Sequence, residues 1–490
     1  MFAMTATEPE AGALRRWPAF WVCAGVASLT ILDMTKVNVA LPSIEQAFEV
    51  GSTELQLVLS GYVLAMGLLL VPMGRVGDQR SRRTLFVSGL TLFTLASVLC
   101  ALAPNAEVLL VGRLVQGIAA GIHMPQVIGL IQQLFPGKER GQAFGLFGAT
   151  IGLATAFGPM VGGLSIAIGG VADGWRGIFW MNLPLGAIAV VFALRLLPRD
   201  RGSGRRLTLD PVGIVLFGGA VLALMLPFLF TTGAPDDPAE RWWSLAGFAV
   251  LLIALVLWER SYEARGKAPL LPLSLFAVPS FRNGAVVGTA YFAAMPAMFL
   301  LTTLFLQSGV QLTALTAAFV TIGFALTSSV SSWLGGRLVA RRGRGLVVLG
   351  VSVMLVGVAG MVLAALLLPP GAVGPVMAAI MIVSGIGGGF VISPNQTLMF
   401  SEVPVRQAGL AGSVGQLGQR IGSAIGMAIA LSLFYSTLYR ERGEVADLVA
   451  YHDGYALGMA SVGAFLALAL AAGIADLAQR RRAGDAPGEA

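Results

Sequence analysis

Long apolar runs, separated by short polar or glycine-rich stretches, recur from residue 20 to residue 476. The runs cover roughly 20–41, 55–74, 84–104, 106–134, 142–168, 177–197, 211–231, 244–260, 284–308, 314–336, 346–368, 374–400, 408–435 and 455–476. Most are near the roughly 20 residues that carry an α-helix across a bilayer. The pattern predicts an all-α polytopic membrane protein with about fourteen transmembrane helices. An even number of crossings returns both termini to one side. No loop between runs is long enough for a folded soluble domain.

The chain also repeats itself. Gly74-Arg75-Val76-Gly77-Asp78-Gln79-Arg80-Ser81-Arg82 follows span two, and Gly336-Arg337-Leu338-Val339-Ala340-Arg341-Arg342-Gly343-Arg344 follows span ten, 262 residues later. Gly117-Ile118-Ala119-Ala120-Gly121 with Pro125 in span four is matched by Gly385-Ile386-Gly387-Gly388-Gly389 with Pro394 in span twelve. Gln142-Ala143 before span five is matched by Gln407-Ala408 before span thirteen. The expected organisation is a tail (1–19), an N-terminal six-helix half (20–198), inserted spans seven and eight with their flanking loops (199–260), a linker and C-terminal six-helix half (261–476), and a second tail (477–490). Repeated halves with a site between them near the midplane are a common transporter plan.

Composition agrees. Hydrophobic residues make up 56%, charged residues 12%, and glycine 63 of 490 positions, with a mean hydropathy of +0.81. The +7 net charge reflects loop anchors and does not point to a nucleic acid partner. Of 32 Lys and Arg, 25 fall in the termini and even-numbered loops and four (Arg176, Arg241, Arg440, Arg442) in the opposite loops. The positive-inside rule therefore puts both termini in the cytoplasm, and a multi-pass protein of the plasma (inner) membrane is expected. The basic pair Arg15-Arg16 precedes a span with no clear small-residue cleavage site, so that span reads as a retained helix. Cys23 and Cys100 have no partner spacing for a disulfide framework or a metal site.

The remaining Lys and Arg, Lys36, Arg113 and Arg420, lie inside spans, with Asp33 the only acidic residue deep in one. An ionised side chain at the centre of a helix in hydrocarbon costs about 2.5–3.5 kcal/mol on insertion scales and persists where it has a partner or a water-filled cavity. Asp33 and Lys36 are three apart and share a helix face, so Lys36 should oppose the desolvation penalty on Asp33. At about 1.5 Å per residue, Asp33 lies about 12 Å and Arg113 about 10 Å from the outer ends of their spans, so the two can be level. Arg113 can pair with Asp33, relay a proton, or fix span four against span one. The intramembrane sum of +2 favours an anionic or zwitterionic substrate. Glycines 418, 422 and 426 flank Arg420 at intervals of four and read as a close-packing stripe. His123 reads as a packing residue or, less simply, a proton carrier.

Four segments resemble signatures of the major facilitator superfamily, specifically its fourteen-span drug/proton antiporter branch, over nearly the whole chain. They are Leu32-Asp33-Met34-Thr35-Lys36-Val37-Asn38-Val39-Ala40-Leu41-Pro42 in span one, Gly74 to Arg83 after span two, Arg113-Leu114-Val115-Gln116-Gly117 in span four, and Gly158-Pro159-Met160-Val161-Gly162-Gly163 in span five. The resemblance implies two six-helix halves plus two inserted central helices. It implies a proton-coupled antiporter that exports a small amphipathic drug or natural product by alternating access. It makes Asp33 a proton or substrate site and puts Asn38, Tyr62, Gln116 and Gln126 on cavity-lining helices as substrate-binding candidates. Arg113, level with Asp33, joins it as the candidate for proton coupling, and the intramembrane cations Lys36 and Arg420 are substrate-binding candidates by their charge. Gly74, Asp78, Arg82 and Arg83 become a conformational latch. Gly158, Pro159, Gly162 and Gly163 become the antiporter motif, and Gly158-Pro159 is expected to kink span five.

Departures from the family pattern also carry information. Lys36 stands where the family usually has an aliphatic residue, which argues against its default preference for lipophilic cations. Ser81 replaces a glycine of the loop signature, and Ala154 stands where span five often has another. Asp78 is expected to accept backbone N–H groups at the start of span three, where the helix dipole favours an anion. Ala340 at the matching place in the repeat makes the latch one-sided. Expected partners are a small-molecule substrate, protons and the bilayer, with no nucleic acid, no metal and no cofactor beyond the proton gradient, and the chain is expected to act as a monomer. An importer or lipid translocase on the same fold is the alternative, ahead of a membrane-embedded enzyme or sensor. The sequence shows no Ser/His/Asp or Cys/His pairing, no HExxH and no phosphate-binding glycine loop.

Overall fold

The computed structural model describes residues 9–50, 52–137, 139–199, 210–230, 238–441 and 447–484. The ends of both expected tails, the basic loop residues Arg201, Arg205 and Arg206, and Arg442 lie outside the described residues. Among those described, fourteen helices are long and apolar enough to cross a membrane. The crossings are carried by α1 (Pro9–Phe48), α2 (Ser52–Gln79), α3 (Arg82–Ala101), α4 (Ala106–Leu134), α5 (Glu139–Trp180), α6 (Asn182–Leu196), α7 (Pro211–Leu229), α8 (Ser244–Ala264), α9 (Pro279–Leu304), α10 (Ala314–Arg342), α11 (Arg344–Leu367), α12 (Pro370–Met399), α13 (Ala408–Glu441) and α14 (Asp447–Gly484), the sixth crossing running from Ala172 to Leu196 through the end of α5 and α6. The helices outrun the apolar stretches because polar first and last turns continue the same hydrogen-bond ladder.

Local chemistry sets many of the boundaries. Ser81, Asn105, Asp210 and Thr313 cap α3, α4, α7 and α10, each accepting the N–H three residues on, which satisfies a donor the helix leaves unpaired. Gly343 separates α10 from α11 at φ 51°, a left-handed conformation that glycine adopts without a Cβ clash. A π-turn at Phe305–Gly309 closes α9. The break in α5 is at Gly170 (φ 76°, ψ 169°) and not at Gly158-Pro159, where the dihedrals stay helical. Proline's fixed φ suits a helix, so the weakened ladder there produces no dihedral break.

The chain divides into two compact units. One comprises residues 1–143, 157–207 and 405–412; the other comprises 144–156, 208–404 and 413–490. Within the first, one buried cluster joins Val37, Ala40 and Ile44 of α1 to Leu55, Val58, Leu109, Trp175 and Phe179. Within the second, the core is an apolar and methionine-rich set that includes Tyr291, Met298, Met354, Met361, Met377, Met381, Phe434 and Met459. Many large apolar side chains point outward, such as Ile168, Val215, Val356 and Leu367, as expected of helices solvated by lipid.

The glycines of the sequence repeat do the same work in each unit. Gly117 and Gly121 of α4 lie against the backbone carbonyls of Tyr62 and Met66 on α2, and Gly385 and Gly389 of α12 lie against those of Phe324 and Ser328 on α10. The stripe Gly418, Gly422 and Gly426 of α13 lies against Thr289 and Ala293 of α9. Without a hydrophobic driving force between helices in lipid, such close backbone approach is what holds them together. Gly389→Val is therefore expected to cost about 1–3 kcal/mol and to lower the melting temperature in detergent. Gly345→Ala, with no atom within 4 Å of the new Cβ, should leave it unchanged.

Candidate functional site

The first unit buries a charged cluster built from five helices. α1 supplies Asp33 and Lys36, one turn apart. α4 supplies Arg113 and Gln116, also one turn apart. α6 begins at Asn182, α3 contributes Ser97 and Cys100, and α2 contributes Tyr62. Asp33, Lys36, Gln116 and Asn182 are 0% exposed and Arg113 is 1% exposed. The arrangement is therefore a closed network in this conformation.

Asp33 is held at both oxygens. Arg113 Nη1 donates to Oδ2 at 2.7 Å, and Asn182 Nδ2 donates to Oδ1 at 2.7 Å. Lys36 Nζ donates to Asn182 Oδ1 at 2.6 Å and stands 3.5 Å from Asp33 Oδ1. The Asn182 amide orientation follows from chemistry, because only its oxygen can accept from an ammonium and only its NH2 can donate to a carboxylate. Arg113 also donates to Gln116 Oε1 at 2.9 Å. Gln116 Nε2 donates to Ser97 Oγ at 2.7 Å, which receives Asn182 Nδ2 as well. The Arg113 guanidinium lies 4.2 Å above the Tyr62 ring, a cation–π contact worth about 0.5–2 kcal/mol.

Small residues on α5 let the backbone close over this cluster. Gly158 faces the Thr35 side chain, and a Cβ at Gly162 would stand 2.6 Å from the Lys36 carbonyl oxygen. Only this half of the Gly-Pro-X-X-Gly-Gly segment meets α1. Pro159 is exposed, and Gly163 has no neighbour within 4 Å of where its Cβ would sit.

The other residues singled out in the sequence are elsewhere. Gln126 is buried and donates to the Met73 carbonyl oxygen at 3.0 Å, which ties α4 to α2. Asn38 is exposed on α1. Arg420 lies midway along α13, partly exposed, in the second unit. His123 shares a hydrogen bond with Thr30 at 2.9 Å and stands edge-on to Phe86 and Phe93. Asn182 and Ser97 are the members of the cluster that reading the sequence missed. A lone Asn opening an apolar run is a detectable signal; Ser97 is one of many small hydroxyls in spans and is not.

The loop signature also folds differently from expectation. Asp78 does not cap span three, because Ser81 does that locally. From the last turn of α2 its carboxylate instead accepts the Gly409 N–H at 3.0 Å, the Leu410 N–H at 2.9 Å and Arg82 Nη2 at 2.8 Å. It thus caps the first turn of α13, which belongs to the same unit, where the helix dipole favours an anion. Arg82 also donates to the carbonyl oxygens of Val405 at 2.9 Å and Gly129 at 3.1 Å. A Cβ on Gly409 would meet the Gly74 carbonyl oxygen at 3.1 Å. Arg83 donates to the Leu194 carbonyl oxygen. In the repeat, Arg344 compensates for Ala340 by finding its acid on another helix. Buried at the start of α11, it donates to Asp476 of α14 and, at 2.5 Å, to Asn395 of α12. Asn283 of α9 donates to the same Asp476 at 2.8 Å.

Two substitutions test these geometries. Asn182→Leu removes the acceptor for Lys36 and one donor to Asp33, and should cost about 1–3 kcal/mol, read as a lower unfolding temperature in detergent. Asp78→Ala removes both oxygens that hold the first turn of α13. Amide hydrogen exchange at Gly409 and Leu410 should then rise about tenfold, the equivalent of roughly 1.4 kcal/mol.

Comparison with known proteins places the chain. The family model for the Major Facilitator Superfamily matches residues 23–427. The chain is 34% identical to a probable actinorhodin transporter of Streptomyces coelicolor, over 86% of this chain and 73% of that protein. It is 34% identical to a puromycin resistance protein of Streptomyces alboniger, over 84% of this chain and 80% of that one. Its fold matches the crystal structure of the human organic anion transporter MFSD10 with a TM-score of 0.64 and 15% identity, over 93% of this chain and 99% of that one. The chain is therefore a transporter and not an enzyme, and belongs to the major facilitator superfamily, alongside antibiotic transport and resistance proteins.

Proposed function

We propose that this protein exports a small amphipathic molecule, of the antibiotic or natural-product kind, from the cytoplasm by proton-coupled antiport and alternating access. It would act in the plasma membrane with both termini cytoplasmic. The observation that carries this reading is the buried Asp33–Lys36–Arg113 cluster. A purely structural ion pair inside a bilayer needs one cation for one anion, and here two cations surround one carboxylate. An uneven set of buried charges is costly to maintain, and intramembrane ionisable groups of this kind mark proton and substrate pathways. The names of the two Streptomyces relatives support an antibiotic-like substrate.

The charge deep in the spans favours an anion or zwitterion, since Lys36, Arg113 and Arg420 outnumber Asp33 three to one. Asp78, with Arg82 and the first turn of α13, would serve as the latch that forms and breaks between conformations. The energetics suffice. At about 2.3 kcal/mol per charge per 100 mV, one proton sustains roughly a 50-fold concentration gradient of substrate.

The test uses wild-type protein in liposomes with a trapped pH indicator, supplied with ethidium as a lipophilic cation and fluorescein as an amphipathic anion. Addition of the anion should move protons, an imposed pH gradient should drive its accumulation against its own concentration gradient, and Asp33→Asn should abolish both. Proton movement with ethidium alone would reverse the assignment of substrate charge. No proton movement with either would leave a facilitator, not an antiporter.

A further inference from the structure

The charges around Asp33 do not balance, and the imbalance identifies the group that moves a proton. The titratable or charged groups of the cluster around Lys36 are Asp33 on its own helix, which it faces directly, Arg113 on α4, bonded to Asp33, Cys100 on α3, bonded to Gln116, and Tyr62 on α2, stacked on Arg113. α6 faces it with the neutral Asn182, and α5 with Gly158 and Gly162. With Asp33, Lys36 and Arg113 all ionised, the closed cluster carries +1. Arg113 cannot lose its proton in a protein. Adding a proton to Asp33 would raise the buried charge to +2. Removing one from Lys36 leaves a neutral Asp33–Arg113 pair. Since an uncompensated buried charge costs several kcal/mol, only the second move relieves the site.

Hydrogen bonding agrees with the charge count. Each Asp33 oxygen already accepts an N–H donor, from Arg113 or from Asn182. A carboxylic acid would place its own O–H against those donors. Lys36 makes one short bond, donating to Asn182 Oδ1 at 2.6 Å, while Asp33 Oδ1 at 3.5 Å is beyond good hydrogen-bond length. A neutral amine keeps two N–H donors and so keeps the bond to Asn182. Lys36 can therefore give up its proton and keep its bond, whereas an O–H on Asp33 would stand among the donors Arg113, Asn182 Nδ2 and Lys36.

We infer that Lys36 is the group that takes up and releases the transported proton, with Asp33 remaining the ionised partner of Arg113 and Asn182 positioning the amine. The inference rests on the proton-coupled reading above and names its carrier. It transfers one proton from the Lys36 ammonium to water on one side of the membrane and returns one from water on the other.

The chain has only three lysines, Lys36, Lys138 and Lys267, so the carrier can be watched directly. Wild-type protein labelled at the lysine ε-carbon is titrated by NMR in nanodiscs, with Lys138→Arg and Lys267→Arg assigning the Lys36 signal by elimination. Infrared difference spectra over the same pH series report any protonated carboxylic acid. The expected result is a Lys36 resonance that passes from ammonium to amine within the pH range that drives flux. No carboxylic acid band should then be lost in Asp33→Asn. In liposomes Lys36→Arg, which keeps a donor to Asn182 but cannot release its proton, should lose substrate-induced proton movement while holding its melting temperature. A Lys36 signal that never shifts, or a carboxylic acid band assigned to Asp33, overturns the inference while leaving proton coupling intact. Absence of proton movement in wild type overturns both, and Lys36→Arg protein that still pumps overturns the inference alone.

Discussion

An ionised side chain inside a bilayer has nowhere to find water, and this constraint organises the first unit. Asp33, Lys36 and Arg113 survive there because each finds partners supplied by a different helix. Arg113 is shared between Asp33, Gln116 and the face of Tyr62, and Asn182 satisfies the carboxylate with one end of its amide and the ammonium with the other. Removing any one partner leaves a charge or dipole buried without compensation, which is more costly than removing the whole set. The network therefore makes the relative placement of α1, α3, α4 and α6 a condition of stability, and gives that placement a stake in any change of protonation.

The glycines follow from the same constraint. A charge can be shielded from lipid only if the surrounding backbones come close, and side chains larger than hydrogen would keep them apart. Gly158 and Gly162 bring α5 onto Thr35 and Lys36, and Gly117 brings α4 onto Tyr62, the residue that stacks on Arg113. In this reading the antiporter motif and the charged site are parts of one construction. The motif's small residues Gly158 and Gly162 bring α5 against the backbone of α1 at Thr35 and Lys36, beside the charged cluster.

The spans, their number and the level placement of Asp33 and Arg113 were legible in the sequence, because hydrophobic length and rise per residue are local quantities. The sequence showed less of what satisfies each polar group. Asp78 illustrates the difference. Its place after span two suggested a local cap, but Ser81 occupies that role and Asp78 reaches a helix start some 330 positions along the chain. Asp476 was hidden for a similar reason. It is the last residue of the final apolar run, and only the fold puts Arg344 and Asn283 beside it. Neither pairing has a spacing that could be read along the chain. Lys36 was visible as an oddity, but its partner Asn182 is 146 residues away.

The repeat sharpens what the charges mean. Both units carry an arginine at the start of their third helix, and in each it is buried and tied to an acid. Both use paired glycines to dock their fourth helix on their second. These shared features are what the scaffold requires. The counterpart of α1 is α9, and its buried face is Val287, Ala290, Tyr291, Ala294, Met298 and Leu301, with no ionised group. A fold that can be built around an apolar first helix does not need Asp33 and Lys36 for its architecture. Their presence in one copy alone is hard to explain as packing, since the second copy packs without them. For the proton-coupled transport proposed above, a single charged site would be sufficient, because a conformational equilibrium needs only one element whose two states differ in their affinity for the proton.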